Sequence, residues 1–399
     1  MPRQRREDGM RVHSPALRLA PLVVATMASQ ALLVVLSPTI VAIGRDLGAS
    51  VAAVGQARSL TALVAIAASL AITTRMEALG VRRLAAAGAA AGVAACTVVA
   101  TASSLAVFLA AHVLVGVALA CLLSAGFAGV AAFPAERRPW AVGWVAGANA
   151  LAWVVVNPAA GFLTSRISWR AAEAVPGVLA LASLAVTPAL AMVPAGRSVP
   201  RLGALLADTS ARRWIGAELI AYSAWTGLLT FVGAFFVQDL GVGEASVGWM
   251  LAAGAAAYFA AATRSGRLVA RVRRRRLVAG AAAAMALQLP VLLELPSASA
   301  AVAVFCLVGV TAGVRTPASS GLGLDQLPGH PGAMMGARSA ATQLGYLLGA
   351  VVGGPVIAGG GYGALGLVLA GGLLVSGALA LRVHDPRLPA QAAGASSAV

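Results

Sequence analysis

Two Arg-rich segments, TTRMEALGVRR at residues 73–83 and GRLVARVRRRR at residues 266–276, each follow a long apolar stretch and lie 193 positions apart. An offset of 194 relates Pro134 to Pro328 and Asn149 to Gln343. The sequence is rich in Ala, Gly and Arg, so any single match between its two halves could arise from composition. Composition does not explain why the matches also agree on the positions of the loops. One register shared by three landmarks predicts two similar halves, as in membrane proteins built from parallel six-span repeats.

The composition requires a membrane environment. Hydrophobic residues make up 60% of the 399 residues, charged residues make up 11%, and the mean hydropathy is +0.88. A hydrocarbon core about 30 Å thick needs about 20 apolar residues in each crossing helix. The sequence therefore predicts an all-α membrane protein with twelve transmembrane helices in two six-helix halves. The predicted spans 1 to 12 are 19–43, 54–74, 84–103, 105–127, 140–163, 171–193, 214–237, 247–265, 277–295, 299–321, 336–358 and 363–382.

The distribution of Arg predicts the orientation. All 29 basic residues are Arg, and only Arg45, Arg166 and Arg170 fall in the connections at one end of the predicted bundle, while Arg58 and Arg315 fall inside spans. The others lie in the two termini, in the connections at the opposite end or, for Arg264, Arg338 and Arg382, within three residues of that end of a predicted span. Because cytoplasmic loops retain Arg and Lys, we expect a multi-pass protein of the cytoplasmic (inner) cell membrane with both termini in the cytoplasm. The net charge of +16 follows from this topology and does not indicate a nucleic-acid partner.

The longest connection at the basic side, PAGRSVPRLGALLADTSARR at residues 194–213, lies near the midpoint of the chain. It predicts a cytoplasmic central loop between an N-terminal half, residues 1–193, and a C-terminal half, residues 214–399, that ends in a short cytoplasmic tail.

Signatures of soluble enzymes are missing from the sequence. It contains no Gly-x-x-x-x-Gly-Lys loop, no Gly-x-Ser-x-Gly elbow and no His-Glu-x-x-His pair. The three Cys lie inside predicted spans and the four His are scattered, so neither a disulfide framework nor a metal site is expected. We expect no enzymatic activity and no cofactor.

Ionisable residues inside spans indicate functional sites, because burying them is costly. An inward-facing Arg315 in span 10 would attract an anionic substrate, and Arg58 in span 2 could serve the same purpose. The alternative is that either side chain extends to the nearer surface. His112 titrates near physiological pH, so it could carry a coupling proton, or it could only join helices. Glu218 in span 7 is the next candidate proton carrier, with an interfacial anchor as its alternative.

The Arg-rich segments resemble the signature Gly-x-x-x-Asp-Arg-x-Gly-Arg-Arg that the major facilitator superfamily carries between spans 2 and 3 and repeats between spans 8 and 9. In the first copy Glu77 stands at the acidic position, followed by Gly80 and Arg82; in the second, Gly266 and Arg271 match and the acid is absent. The resemblance implies a conformational latch formed by these five residues, with the acid facing the start of span 11 near residues 333–336.

Further resemblances are LSPTI at 36–40, PAERR at 134–138 and NPAAGF with SWR within 157–170, so that nearly the whole chain is covered. Within the superfamily the chain is most similar to the twelve-span drug and metabolite efflux group. It has no acid in span 1, unlike the fourteen-span group, and a much shorter central loop than the sugar porters. The antiporter signature of span 5 is only partly present, which leaves antiport open.

The resemblance also implies a central cavity, which spans 1, 4, 7 and 10 line in this family. Aromatic, amide and hydroxyl groups there suit an amphipathic organic molecule. Asn149 and Gln343 could instead join helices across the bundle. The candidate substrate contacts are Gln30, His112, Asn149, Tyr222, Trp225, Thr226, Arg315 and Gln343.

The expected function is secondary active transport by alternating access, with export of a small organic drug or metabolite driven by proton entry. The alternatives are proton-coupled uptake of a small anion and a non-transporting polytopic membrane protein. The expected partners are the small-molecule substrate, protons and the lipid bilayer, with the chain acting as a monomer.

Overall fold

The structure is a computed structural model that describes residues 15–134, 137–190, 207–327 and 331–385, with the backbone alone for 15–18, 73–79, 138–139 and 331–333. The described chain is helical, with no strand in these ranges. Its α-helices are Pro15–Val34, Leu36–Leu47, Val51–Ala100, Leu105–Ala128, Arg138–Arg166, Trp169–Ala172, Ala174–Val186, Thr209–Gln238, Glu244–Arg264, Gly266–Arg271, Arg274–Glu294, Ala298–Leu324 and Pro331–Leu381, and short 3-10 helices cover Gly129–Ala132 and Thr187–Ala189.

The predicted all-α fold with twelve spans is confirmed. Within the described ranges, 11 helical segments are long and apolar enough to cross a membrane. The last of them, Met334–Leu381, is broken at Gly361, where φ is 73°, and therefore forms spans 11 and 12. Spans 1 to 10 are Leu19–Leu47, Val51–Ile72, Gly80–Ala100, Leu105–Ala132, Trp140–Arg166, Trp169–Ala189, Thr209–Gln238, Glu244–Arg264, Arg274–Glu294 and Ala298–Leu324.

Glycine residues with positive φ mark the ends of spans. Gly80, with φ of 67°, separates spans 2 and 3 inside the helix Val51–Ala100. Gly48 follows span 1 with φ of 61°, and Gly241 follows span 7 with φ of 64°. Only a residue without Cβ adopts this conformation readily. The 193-residue separation of Gly48 and Gly241 matches the repeat that the sequence predicts.

Span 7 begins earlier than predicted. Its helix starts at Thr209, inside the predicted central loop, because the Asp208 carboxylate accepts a hydrogen bond from the backbone N–H of Ala211 at 2.6 Å and caps the first turn. Residues 191–206 lie outside the described part of the chain, and the division of the chain at 194–213 stays a prediction.

Span 1 is two helices, Pro15–Val34 and Leu36–Leu47. Pro38 has no N–H to donate to the carbonyl of Val34 four residues earlier, which accounts for the break at Val35. The first helix packs on spans of its own half, whereas the second packs against span 7 of the other half.

The two halves meet mainly at one end of the bundle. We call the end with the connections between spans 2 and 3, 4 and 5, 8 and 9, and 10 and 11 the basic end, and the opposite end the far end. One apolar cluster at the far end includes Ile40 and Val54 of the N-terminal half together with Phe231 and Leu251 of the C-terminal half. At the basic end, the cluster around Trp214 contains residues of the C-terminal half alone. The largest apolar contact that the described residues form between the halves therefore lies at the far end.

Small residues allow this closure. A Cβ added to Gly161 of span 5 would lie 3.1 Å from the Cα of Gly248 in span 8. A Cβ added to Gly248 would lie 3.0 Å from the carbonyl carbon of Asn157 and closer still to its oxygen. Backbone contacts of this kind are typical of packed transmembrane helices.

Candidate functional site

A buried group of charges joins spans 7, 10 and 11. Glu218 is 1% exposed; its Oε1 accepts a hydrogen bond from Arg315 Nη2 at 2.6 Å, and its Oε2 accepts one from Arg338 Nε at 3.2 Å. Buried charges persist when they are paired and hydrogen-bonded, so Glu218 is an interior ion-pair partner and Arg315 does not extend to the surface.

Arg338 is counted with the basic connections in the predicted orientation, although the predicted span 11 begins at 336. The structure places it inside span 11, where it shares the Glu218 carboxylate of span 7 with Arg315. Its Nη2 donates to the hydroxyl of Tyr222 at 2.5 Å, and its guanidinium lies 5.4 Å from the centroid of the Tyr222 ring. The side chain of Arg338 is 18% exposed, against 7% for Arg315. Arg338 is therefore the more accessible guanidinium of the group.

Aromatic side chains flank this group. Trp225 of span 7 stacks on Tyr258 of span 8, with ring centroids 6.0 Å apart and planes inclined by 22°. The Tyr258 hydroxyl donates to Thr316 Oγ1 at 3.0 Å. Thr226 donates its hydroxyl to the carbonyl of Tyr222 at 2.7 Å, within the same helix. The arrangement offers flat apolar surfaces beside a cation.

Arg58 is a further buried cation, outside the group around Glu218. Its side chain does not extend to the surface: it is 1% exposed and donates from Nη2 to Ser37 Oγ at 2.7 Å. Its guanidinium lies 5.9 Å from the Trp153 ring centroid and 5.6 Å from that of Tyr346. Both Nε and Nη1 are buried without a hydrogen-bond partner among the described residues.

His112 lies in span 4, 6% exposed, with its ring centroid 4.6 Å from that of Phe108. Its Nδ1 lies 2.8 Å from the Phe108 carbonyl oxygen. That carbonyl can only accept, so Nδ1 carries the proton and Nε2 of the neutral ring is an acceptor.

Three other predicted substrate contacts form no described hydrogen bond with the group around Glu218. Gln30 is 7% exposed in span 1, Asn149 has a buried Oδ1 without a partner among the described residues, and Gln343 is half-buried. The hydrogen bonds described around Glu218 do not include any of these three residues. Their role in binding stays a prediction.

The predicted latch is only partly within the described residues. The side chain of Glu77 lies outside them. Gly80 provides the turn between spans 2 and 3, and Arg82 is exposed. Gly266 begins the short helix that ends at the exposed Arg271. The function of the latch stays a prediction.

Sequence reasoning missed four residues of these two groups: Arg338, Tyr258, Trp153 and Tyr346. One signal was available for Arg338. A carboxylate inside span 7 requires a cation, and Arg338 stands close to the predicted start of span 11. The three aromatic residues carried no comparable signal, since aromatic residues also occur on lipid-facing surfaces.

The comparisons with known proteins agree on one fold. The family profile described as Major Facilitator Superfamily matches residues 22–213 and 214–398. No curated protein matches the sequence. Among solved structures, the nucleoside transporter NupG, as an aspartate-to-alanine mutant, aligns with a TM-score of 0.74 at 14% identity, covering 92% of this chain and 100% of that chain. The human organic anion transporter MFSD10 (TETRAN) aligns with a TM-score of 0.66 at 16% identity and the same coverages. The chain therefore belongs to the major facilitator superfamily, and it is a transporter and not an enzyme.

Proposed function

We propose that the protein is a secondary active transporter that moves a small organic anion by alternating access of its two halves. The charge near the contact between the halves carries this proposal. Among the residues described there, the guanidinium groups of Arg58 and Arg315 are buried and that of Arg338 is partly buried, against one buried carboxylate, that of Glu218. Excess buried charge is unfavourable unless a counter-ion joins it, so a solute with an acidic group would offset the excess.

Arg338 is the first contact that we assign to the solute. Arg315 alone can neutralise Glu218, which leaves the charge of Arg338 for a ligand. An anion entering from the basic end would meet the partly exposed Arg338 before the sealed Glu218. The stacked rings of Trp225 and Tyr258 suit an aromatic or apolar body on that anion. The structural likeness to an organic anion transporter supports the same solute class.

The direction in which the site opens follows from the Arg distribution. We assign the basic end to the cytoplasm, since cytoplasmic loops retain Arg. The far-end contact between the halves would then close the site to the outside. With this orientation the protein lies in the cytoplasmic membrane and both of its termini are in the cytoplasm. We propose that it works as a monomer, because one chain supplies both halves.

We further propose proton coupling, with His112 as the carrier and Glu218 as the second candidate. The free Nε2 of His112 can accept a proton. Resemblance to the efflux group favours export of the solute in exchange for protons. Proton-coupled uptake would use the same anion site, and it is distinguished by the direction of the pH gradient that drives accumulation.

The test is uptake into proteoliposomes of radiolabelled benzoate and indole-3-acetate, beside their uncharged amides. We expect transport of the acids and not of the amides. Arg338→Gln should raise the KM for the acids about 10-fold or more, because a hydrogen bond to a charged group contributes about 1.5–3 kcal/mol. Arg267→Gln, which removes the same charge from an exposed residue, should behave as wild type. Equal transport of the amides, or an unchanged KM in Arg338→Gln, would overturn the proposal.

A further inference from the structure

Arg58 carries a charge that no acid of the described residues pairs with. Its Nη2 has one partner, Ser37, while Nε and Nη1 have none among these residues. Buried charges are ordinarily paired and hydrogen-bonded. A fully buried guanidinium with unused donors therefore indicates a ligand that the described chain does not itself supply.

The surroundings of Arg58 enclose it without satisfying its donors. Trp153 comes from span 5 of one half and Tyr346 from span 11 of the other. Aromatic faces attract a cation, so the two rings offset part of the cost of burying the charge. The N–H groups of Nε and Nη1 remain without an acceptor among the described residues.

Arg58 is also connected to the far-end contact between the halves. The Ser37 hydroxyl that accepts from Arg58 donates to the carbonyl of Leu229 in span 7 at 2.7 Å. A Cβ on Gly233, one helical turn further, would meet the Ser37 carbonyl. A ligand of Arg58 would therefore bind directly beneath the contact that closes the far end.

We propose that Arg58, Trp153 and Tyr346 form an enclosed site for a monovalent anion, separate from Arg338. A guanidinium between aromatic rings suits either a carboxylate or a chloride ion. For a carboxylate, the inference rests on the proposed function, since that group belongs to the transported solute. A chloride ion would occupy the site independently of the solute. Either anion would satisfy the free N–H donors and contact both halves.

The experiment measures thermal unfolding of the purified full-length protein in a fixed sodium sulfate buffer, alone or with added sodium chloride, sodium benzoate or benzamide. Sulfate is divalent and is not a carboxylate, so the reference buffer contains neither candidate ligand. The wild type should be stabilised by benzoate or chloride and not by benzamide. Arg58→Gln should melt at a higher temperature than wild type in sulfate alone, because it removes the unpaired charge. It should also need at least about tenfold more anion for the same stabilisation, whereas Arg338→Gln should keep the Arg58-dependent response. Stabilisation by chloride alone would assign the site to an inorganic ion, and stabilisation by benzoate would assign it to a carboxylate.

If Arg58→Gln does not fold, Arg58→Lys provides the second test, since it keeps the charge but loses the planar donors. Its half-saturating anion concentration should rise at least about threefold. An anion response that is unchanged in both variants, or absent from the wild type, would overturn the site. Loss of benzoate transport with an intact Arg58-dependent response would instead overturn the proposed function and leave the anion site standing.

Discussion

Gly248→Ala should open the far end of the protein. Gly248 lies in span 8 where that span contacts span 5 of the other half. The added Cβ would stand 3.0 Å from the carbonyl carbon of Asn157 and from the Cα of Pro158. Carbon atoms prefer separations of about 3.5–4.0 Å, so the two spans must separate by roughly 0.5–1 Å. Both partners are backbone atoms, which have no alternative rotamer.

The strain applies only while the far end is closed. Overpacking of a well-packed contact costs about 1–3 kcal/mol, which shifts the balance between two conformations by about 5–150-fold. We therefore expect a larger population with the far end open and the basic end closed. Overall folding should change little, because the helices of each half keep their own contacts.

The assay is labelling with a membrane-impermeant maleimide in a background without native Cys. Ile40→Cys reports far-end opening, because Ile40 is 0% exposed in the apolar cluster shared by the halves. The labelling rate should rise several-fold in Gly248→Ala. Gly280→Ala adds the same methyl group in span 9, where a Cβ meets nothing within 4 Å, and should leave the rate unchanged. Equal rates in the two variants would refute the assignment of this contact as a gate.

Three further predictions concern single residues. Glu218→Gln leaves Arg315 without its counter-charge and should lower the free energy of unfolding by about 3–5 kcal/mol, measured by unfolding in SDS. Adding Arg315→Gln should restore part of the lost stability. A double variant as unstable as Glu218→Gln would mean that the two residues are not coupled. His112→Ala should abolish accumulation driven by a pH gradient while leaving solute exchange largely intact, and a wild-type response to the gradient would show that His112 only packs. Partial burial and the charge of Glu294 raise the pKa of Asp239 at the far end. An ionised carboxylate whose pKa is raised on folding lowers stability, so Asp239→Asn should raise the melting temperature at neutral pH. This gain should vanish as the pH falls through the pKa of Asp239, and a gain independent of pH would contradict the electrostatic cause.

Much of the fold was predictable because the bilayer acts locally along the chain. Each crossing must satisfy its own backbone hydrogen bonds over a fixed thickness, so length and apolarity mark the spans without knowledge of their neighbours. The repeat of about 194 residues placed equivalent features in both halves, and Gly48 and Gly241 show it again as equivalent turns. The ends of spans were harder to predict, since the cap formed by Asp208 extends span 7 into a segment that reads as loop.

The residues of the candidate site could also be predicted only in part from the sequence. The sequence alone singled out Arg315 and Glu218, because ionisable groups inside apolar stretches are conspicuous, and the family resemblance added Tyr222. It did not pair them: Glu218 contacts Arg315 and Arg338 across 97 and 120 residues. Spans that are apolar on almost every side do not reveal which face turns toward the other half. Only the packing of the twelve helices decides this rotation, and with it the pairing of Glu218 and the unpaired charge of Arg58.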